Sequence, residues 1–183
     1  DNVKYFGIKD NKEAYKDQIS VIYFNNEDDF AIKLTTPSND EIIINKNPKG
    51  YTFDEIYKNI ITTGSEYKGN KSFNDLDNFK MPYINLNILK EYKELENQKF
   101  YDKSNNVLVI DKALQTIKFE LNETGGKIKS EAGMDIIKFS SVDPKTESRN
   151  FIVNKTFAIF LKEESKDKPY FAAKIDDISK YQG

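Results

Sequence analysis

Short runs of β-branched and aromatic residues, each closed by a polar turn, divide the first part of this chain and favour strands. The runs lie at 3–8, 18–24, 29–35 and 42–44. Most of them alternate apolar with polar residues, the period-2 pattern of a strand with one buried face. The polar cluster at 25–28 has hairpin spacing, and Asn47-Pro48-Lys49-Gly50 is a strong turn signal. The first third of the chain is therefore predicted to be β.

One helix is predicted after Thr52, because Thr52 and Glu55 form a capping box. The residues on its predicted inner face are Phe53, Ile56, Ile60 and Ile61. The following stretch, 63–78, is rich in Gly, Ser, Asn and Asp and is predicted to be a loop.

Later segments add strands and one further helix. Strands are predicted at 81–86, 107–121, 151–161 and 169–175. A short helix capped by Asn87, with Leu89, Tyr92 and Leu95 facing inward, is predicted after the first of these, and 112–115 is an alternative helical turn within the second. Little periodicity is present from 123 to 150, which predicts a long exposed loop. We expect one α+β domain, 1–183, of mostly antiparallel sheets with two or three short helices.

Composition excludes several kinds of site. The chain has no cysteine and no histidine, which removes disulfides, thiol nucleophiles, thiolate and imidazole metal ligands, and histidine-based triads. Its formal net charge is −2, and Arg149 is its only arginine, so no nucleic-acid-binding surface is predicted. No apolar run approaches the roughly 18 residues that a membrane span needs.

Three segments follow one another in the order of a known fold family. Residues 153–161 followed by 168–175 resemble the serpin C-terminal hairpin, and 113–125 resembles the strand that ends in the serpin hinge with a Glu-x-Gly signature. Residues 79–84 resemble the earlier strand that carries a hydrophobic-Pro-Lys-Phe motif. In the hairpin, Thr156 stands in place of the family's Pro. The resemblance covers nearly the whole chain in order and implies the C-terminal half of the serpin fold.

The resemblance also implies a reactive loop. It places the loop's hinge at Glu123, Gly125 and Gly126. Counting forward by the family's usual spacing puts the candidate scissile region at Lys138, Phe139 and Ser140. Phe suits a chymotrypsin-like pocket and Lys a trypsin-like one. The alternative interpretation is a surface connection that any protease cleaves.

The hinge departs from the pattern of inhibitory serpins. In those proteins a Thr or Ser and a run of small residues follow Glu-x-Gly, so that the cleaved loop enters a sheet as a new strand. Here Gly126, Lys127, Ile128 and Lys129 follow, and a β-branched residue in place of a small one risks overpacking of about 1–3 kcal/mol. We expect a non-inhibitory binding or structural module that lacks the N-terminal half of the fold. The alternative is the C-terminal part of a functional serine protease inhibitor with its reactive loop near Phe139.

No catalytic residue, metal ligand set or cofactor is predicted. An uncharacterised carboxylate-based enzyme is a third alternative, because Asp/Glu pairs, Lys and Tyr are what the chain has for acid–base chemistry. The acidic cluster at 27–29 lacks EF-hand spacing and is interpreted as a solvated turn. The resemblance implies a secreted or cell-surface protein whose partner is a serine protease or another protein. The Lys, Asn and Ile richness indicates an AT-rich genome.

Overall fold

The computed structural model describes residues 3–8, 18–36, 39–121 and 148–182. The strands in these residues are β1 (Tyr5–Ile8), β2 (Ile19–Asn26), β3 (Asp29–Thr35), β4 (Asp40–Lys46), β5 (Asn78–Pro82), β6 (Ile84–Glu91), β7 (Lys99–Tyr101), β8 (Val107–Val109), β9 (Leu114–Leu121), β10 (Asn150–Ile152), β11 (Phe157–Glu163) and β12 (Phe171–Ile175). One α-helix, α1, spans Phe53–Glu66. Two short 3-10 segments lie at Lys93–Leu95 and Ile178–Tyr181.

The central element is a five-stranded sheet in the order β12-β11-β4-β3-β2. All of its neighbouring strands are antiparallel. Ile44 pairs with Ile32 on one side and with Ile159 on the other, and all three are fully buried. Rows of β-branched side chains therefore cross the sheet and stabilise the pairing of its strands.

Both faces of this sheet are buried. Ile42 and Ile44 belong to one hydrophobic cluster, whereas Ile43 belongs to the other, together with Ile56 and Ile60 of α1. Successive strand side chains point to opposite faces, so α1 covers one face and the larger cluster covers the other. A strand buried on both sides is expected to be apolar without interruption, as the run 42–44 is.

The helix begins as the capping box predicts. The Glu55 backbone N–H donates to Thr52 Oγ1 at 3.2 Å, and the Thr52 N–H donates to Glu55 Oε2 at 3.3 Å. Ile56 and Ile60 are buried, but Phe53 and Ile61 of the predicted inner face are exposed. Phe53 lies in the first turn and its ring still contacts that of Phe160 in β11, with centroids 6.2 Å apart. Ile61 lies to one side of the buried stripe.

A second, three-stranded sheet has the order β1-β5-β10. The predicted strand 81–86 is divided between two sheets, because β5 ends at Pro82 and β6 begins at Ile84. At the junction the Tyr83 N–H donates to the Lys4 carbonyl at 2.9 Å. Gln182 accepts a hydrogen bond from the Lys4 N–H and donates one to the Tyr83 carbonyl, both at 2.7 Å. The C-terminal residues thus fasten the point where the chain changes sheets.

The helix predicted after Asn87 is wrong. β6 continues to Glu91 because it pairs with β9 along its whole length, and only a 3-10 turn follows. The strand predicted at 107–121 is two strands, β8 and β9, and the one at 151–161 is β10 and β11. The fold class is confirmed, since the described residues form mostly antiparallel sheets, but they contain one α-helix instead of two or three. Within the described ranges no helix is long and apolar enough to cross a membrane.

Candidate functional site: the loop frame, the arm and the cleft

The predicted hinge residues Glu123, Gly125 and Gly126 lie outside the described residues, as do Lys138, Phe139 and Ser140 of the predicted scissile region. The structure describes the two strands on either side of this segment. β9 ends at Leu121 before it, and β10 begins at Asn150 after it. Asn150 therefore belongs to a strand and not to the predicted loop of about 123–150. We call these two strand ends the loop frame.

A buried ion pair with Asp77 fixes Arg149, the residue directly before β10 at the second end of the loop frame. The Arg149 side chain donates to both carboxylate oxygens of Asp77, from Nε at 3.1 Å and from Nη2 at 2.6 Å. It also donates to the backbone carbonyls of Asn70 at 2.5 Å and Ser72 at 2.7 Å. Asp77 has no exposed surface and Arg149 is 8% exposed. Bidentate geometry with every donor directed at an acceptor is the condition under which a buried pair is tolerated.

The electrostatics of the pair fit this geometry. Burial works to lower the pKa of the Arg149 guanidinium, but the hydrogen bonds and charge of Asp77 outweigh it, so the pKa lies above its ordinary value. In the sequence Arg149 stands out as the single arginine, but nothing near it indicates a partner. The pairing joins positions 72 residues apart, and no local pattern connects residues at that separation.

The first end of the frame belongs to a long hairpin that we call the arm, residues 84–121. β6 and β9 pair over eight residues, from Ile84↔Leu121 to Glu91↔Leu114. One face of this ladder is apolar and the opposite face is mainly polar. The apolar face consists of Ile84, Leu86 and Ile88 of β6 and Leu121, Phe119 and Ile117 of β9.

The apolar face of the arm extends from the core into solvent. Ile84 is 2% exposed and Leu86 is 3% exposed, whereas Ile88, the next β6 residue on the same face, is 37% exposed. At its root, the Phe119 ring packs against Phe171 of β12 with ring centroids 5.1 Å apart. The inner half of the arm is therefore part of the body and the outer half is not.

The outer arm carries most of the exposed large apolar side chains of the described residues. Nine of the 13 lie between 88 and 114: Ile88, Leu89, Leu95, Phe100, Tyr101, Val107, Leu108, Val109 and Leu114. Phe100 faces Leu108 and Tyr101 faces Val107 in the short β7–β8 hairpin, so both of its faces are apolar and exposed. Concentration of apolar surface in one place is typical of an interaction site.

The outer edge of β9 is a second feature of the arm. The Tyr92 N–H donates to the Ala113 carbonyl at 2.9 Å, in register with the ladder. Because backbone groups alternate in direction along an antiparallel strand, the odd-numbered residues of β9 bond to β6. Leu114, Thr116, Lys118 and Glu120 therefore direct their backbone N–H and C=O groups away from β6. No strand of the described residues pairs with β9 on that side.

A cleft of about 370 Å³ lies between α1 and the five-stranded sheet. Its apolar wall includes Val21, Ile22, Ile43 and Ile61. Its charged residues are Lys33, Glu41, Lys71 and Lys162, three cations against one anion. The volume is within the range of small-molecule pockets, about 300–1,000 Å³.

Glu41 is at the centre of the charged groups in this cleft. Its two carboxylate oxygens accept from Lys33 at 2.6 Å and Lys162 at 2.7 Å. Burial works to raise the pKa of Glu41, but the hydrogen bonds from Lys162 and Lys33 outweigh it, and the pKa lies below its ordinary value. The carboxylate is thus held ionised, and its charge offsets one of the two lysine charges that contact it.

The acidic cluster at 27–29 forms the turn between β2 and β3, with residues 27 and 28 in the turn itself. Asp28 lies 2.7 Å from Lys155 and 3.0 Å from Lys46, and Asp29 lies 2.8 Å from Lys49. Hydrogen bonds from Lys155 and Lys46 lower the pKa of Asp28. Lysine ammonium groups thus fill the positions around these carboxylates that a cation would take.

Comparisons with known proteins identify the fold. No family model and no curated protein matches the sequence. Thyroxine-binding globulin in complex with thyroxine matches with a TM-score of 0.59 at 10% identity, over 96% of this chain and 46% of that chain. A thermophilic serpin, tengpin, in its native state matches with a TM-score of 0.55 at 12% identity, over 97% of this chain and 46% of that chain. The fold is serpin-like.

The chain spans slightly less than half of the serpin-fold structures that it matches. Its element order corresponds to the C-terminal half of the serpin fold, as predicted from the final hairpin and the strand into Glu123. That hairpin is β11 and β12, paired from Phe157↔Ile175 to Leu161↔Phe171. At the serpin-like entry to the hairpin, Thr156 uses its carbonyl to accept from the Asn47 N–H at 2.8 Å.

Proposed function

We propose that this chain is a non-inhibitory binding module with a serpin-like fold, and that the outer arm is its binding surface. The observation that carries the proposal is the concentration of exposed apolar side chains between 88 and 114, nine of the 13 in the described residues. Isolated two-stranded hairpins are marginally stable in water. Burial of the β7–β8 faces against another protein would stabilise the hairpin, at about 25 cal/mol for each Å² removed from water.

One observation supports the non-inhibitory part of the proposal. Lys127, Ile128 and Lys129 stand where insertion of the loop requires small residues, and large side chains oppose entry into a packed sheet.

The inhibitory alternative is tested with a chymotrypsin-like and a trypsin-like protease. We expect cleavage between 122 and 147 with no covalent complex on a denaturing gel, and with protease activity unchanged afterwards. Phe139→Ala should remove a chymotrypsin-like cut after that residue, and Lys138→Ala should remove a trypsin-like one. An SDS-stable complex formed by the wild-type chain would contradict the proposal and support the C-terminal part of an inhibitor.

The binding surface is tested by photo-cross-linking from matched positions. A benzophenone amino acid replaces Tyr101 of the arm in one sample and Tyr170 in another; their exposed fractions are 67% and 58%. We expect cross-links to another polypeptide from position 101, which position 170 does not form. Equal cross-linking from the two positions would show that the arm is not a preferred surface.

A second candidate function is binding of a small amphipathic anion in the cleft against α1. The cleft has an apolar wall and an excess of lysine over carboxylate, and one serpin-fold structure that this chain resembles contains thyroxine. Thyroxine and anilinonaphthalene sulfonate serve as probes in a fluorescence titration. Lys71→Glu, in the cleft, should weaken binding about tenfold, whereas Lys68→Glu, exposed and outside the cleft, should not. Equal effects of the two substitutions would refute the site.

We also propose that the chain has no catalytic activity and that it is secreted or displayed at the cell surface. Among the described residues, the carboxyl groups whose pKa values are shifted, among them Asp28, Glu41 and Asp102, are all shifted downward, whereas a general acid at neutral pH needs an upward shift. The location is supported by the serpin-like fold alone. Recovery of the protein from the culture medium or from the surface of its native cells would test it.

A further inference from the structure

Lys71 differs from the other two cations of the cleft in what its ammonium group contacts. Lys33 and Lys162 both bond to the Glu41 carboxylate, at 2.6 and 2.7 Å. The Lys71 ammonium instead donates to the carbonyl of Gly64, near the end of α1, at 2.7 Å. Because that acceptor is uncharged, it does not offset the positive charge of Lys71, which is the charge an anion in the cleft would experience most strongly.

The peptide that carries this lysine is held by β2 and by Arg149. From β2, the Val21 N–H donates to the Lys71 carbonyl at 2.8 Å. The Arg149 guanidinium donates to the carbonyls on either side of Lys71, to Asn70 at 2.5 Å and to Ser72 at 2.7 Å. The backbone position of Lys71 therefore depends on an arginine that is itself fixed by a buried ion pair.

These contacts need the shape of a guanidinium. Its Nε and Nη2 bond to the Asp77 carboxylate, Nη1 bonds to the Asn70 carbonyl, and Nη2 also bonds to that of Ser72. A guanidinium is a rigid planar fork of donors, whereas a lysine ammonium is a compact point charge. A lysine in place of Arg149 keeps a positive charge for Asp77 but does not span the carboxylate and both carbonyls.

We infer that Arg149 is a positioning residue for the cleft against α1. Arg149 is not among the residues that line the cleft. Through the carbonyls on either side of Lys71 it fixes where the Lys71 ammonium lies, and so it sets the affinity of the cleft for the anionic group of a ligand. The inference rests on the second candidate function, the binding of an amphipathic anion, and names the residue that tunes it.

A matched pair of probes tests the inference. Anilinonaphthalene sulfonate carries an anionic group, and N-phenylnaphthylamine has the same aromatic framework without it. Arg149→Lys should weaken binding of the sulfonate about threefold and leave binding of the neutral probe unchanged, because the charge moves and the apolar wall does not. Asn150→Ala is the control at the neighbouring position. The Asn150 side chain bonds to Asn78 and Glu27, so this variant should bind both probes as the wild type does.

A double-mutant cycle shows whether Arg149 acts through Lys71. Lys71→Gln alone should weaken binding of the sulfonate about fivefold. Adding Arg149→Lys should then cause no further loss, because no ammonium is left to position. Two results would overturn the inference: additive losses in the double variant, or equal weakening of the two probes by Arg149→Lys, which is what a general distortion of the cleft produces.

Hydrogen exchange without ligand separates this inference from the proposed function. The Val21 amide, bonded to the Lys71 carbonyl, should exchange about tenfold faster in Arg149→Lys, while the amide of Ile44 at the centre of the sheet keeps its rate. Unchanged exchange at Val21 would overturn the inference whatever the probes bind. Faster exchange at Val21, with binding of the sulfonate that does not respond to Lys71→Gln, would refute the anion site and keep Arg149 as the residue that positions Lys71.

Discussion

The body of the molecule and the outer arm are both antiparallel β-structure, yet they differ in what surrounds them. In the body, Phe151 has no exposed surface and its ring lies 5.1 Å from that of Phe24 and 5.3 Å from that of Phe30. In the outer arm, Phe100 is 47% exposed and pairs only with Leu108 across a three-residue ladder. Similar strand sequences therefore stabilise the fold in one region and leave apolar side chains exposed in the other.

The largest expected difference is between two substitutions of the same kind. Phe151→Ala removes a ring from a closed aromatic cluster and should lower the free energy of unfolding by about 3–5 kcal/mol. Phe100→Ala removes a half-exposed ring and should change it by no more than about 0.5 kcal/mol. Urea denaturation followed by circular dichroism measures both. Comparable losses would mean that the outer arm is as well packed as the body.

The buried ion pair tests whether the loop frame belongs to the body. Asp77→Ala leaves the Arg149 guanidinium buried without its counter-charge and should destabilise the protein by about 3–5 kcal/mol. Removing both charges, in Asp77→Leu with Arg149→Met, should be much less harmful, because no unpaired charge is left. Thermal unfolding of Asp77→Leu, Arg149→Met and the double variant gives the coupling energy between the two side chains. Additive effects would show that the pair is not a unit.

The boundary between the two regions is expected within β6. Leu86→Ala should cost about 2–5 kcal/mol, the range for buried aliphatic residues. Ile88→Ala, one step outward on the same face, should cost about 1 kcal/mol, because the side chain is already 37% exposed. Chemical denaturation of the two variants measures the step. Equal losses would place the boundary farther out along the arm.

The smallest expected effect depends on pH. Because the pKa of Glu41 in the folded protein lies below its reference value of 4.5, its ion pairs stabilise the fold above that pH. This contribution is about 1 kcal/mol, because solvent screens the charges of the partly exposed lysines. It is lost as the pH falls through the folded-state pKa of Glu41. Glu41→Gln should therefore differ from the wild type at neutral pH and approach it in acid. Glu94→Gln, at an exposed position of the arm, is the control for the loss of a carboxylate.

The local sequence predicted some elements and missed others for identifiable reasons. The capping box at Thr52 and the strands of the first third were predicted correctly, because their signals lie within a few residues. The helix predicted after Asn87 was wrong because β9, about 30 residues away, pairs with that segment and extends the strand. The hinge and scissile residues stay predictions, since they lie outside the described residues.

By itself the sequence determined which segments are apolar and where turns and the helix begin, since those properties follow from neighbouring residues. Through its resemblance it also indicated the serpin-like order of elements. Only the tertiary structure decided which apolar faces are covered. It buried Arg149 against Asp77, and it left Phe100 half exposed. Burial depends on which distant segments meet, and a side chain carries no local signal of the surface that will cover it.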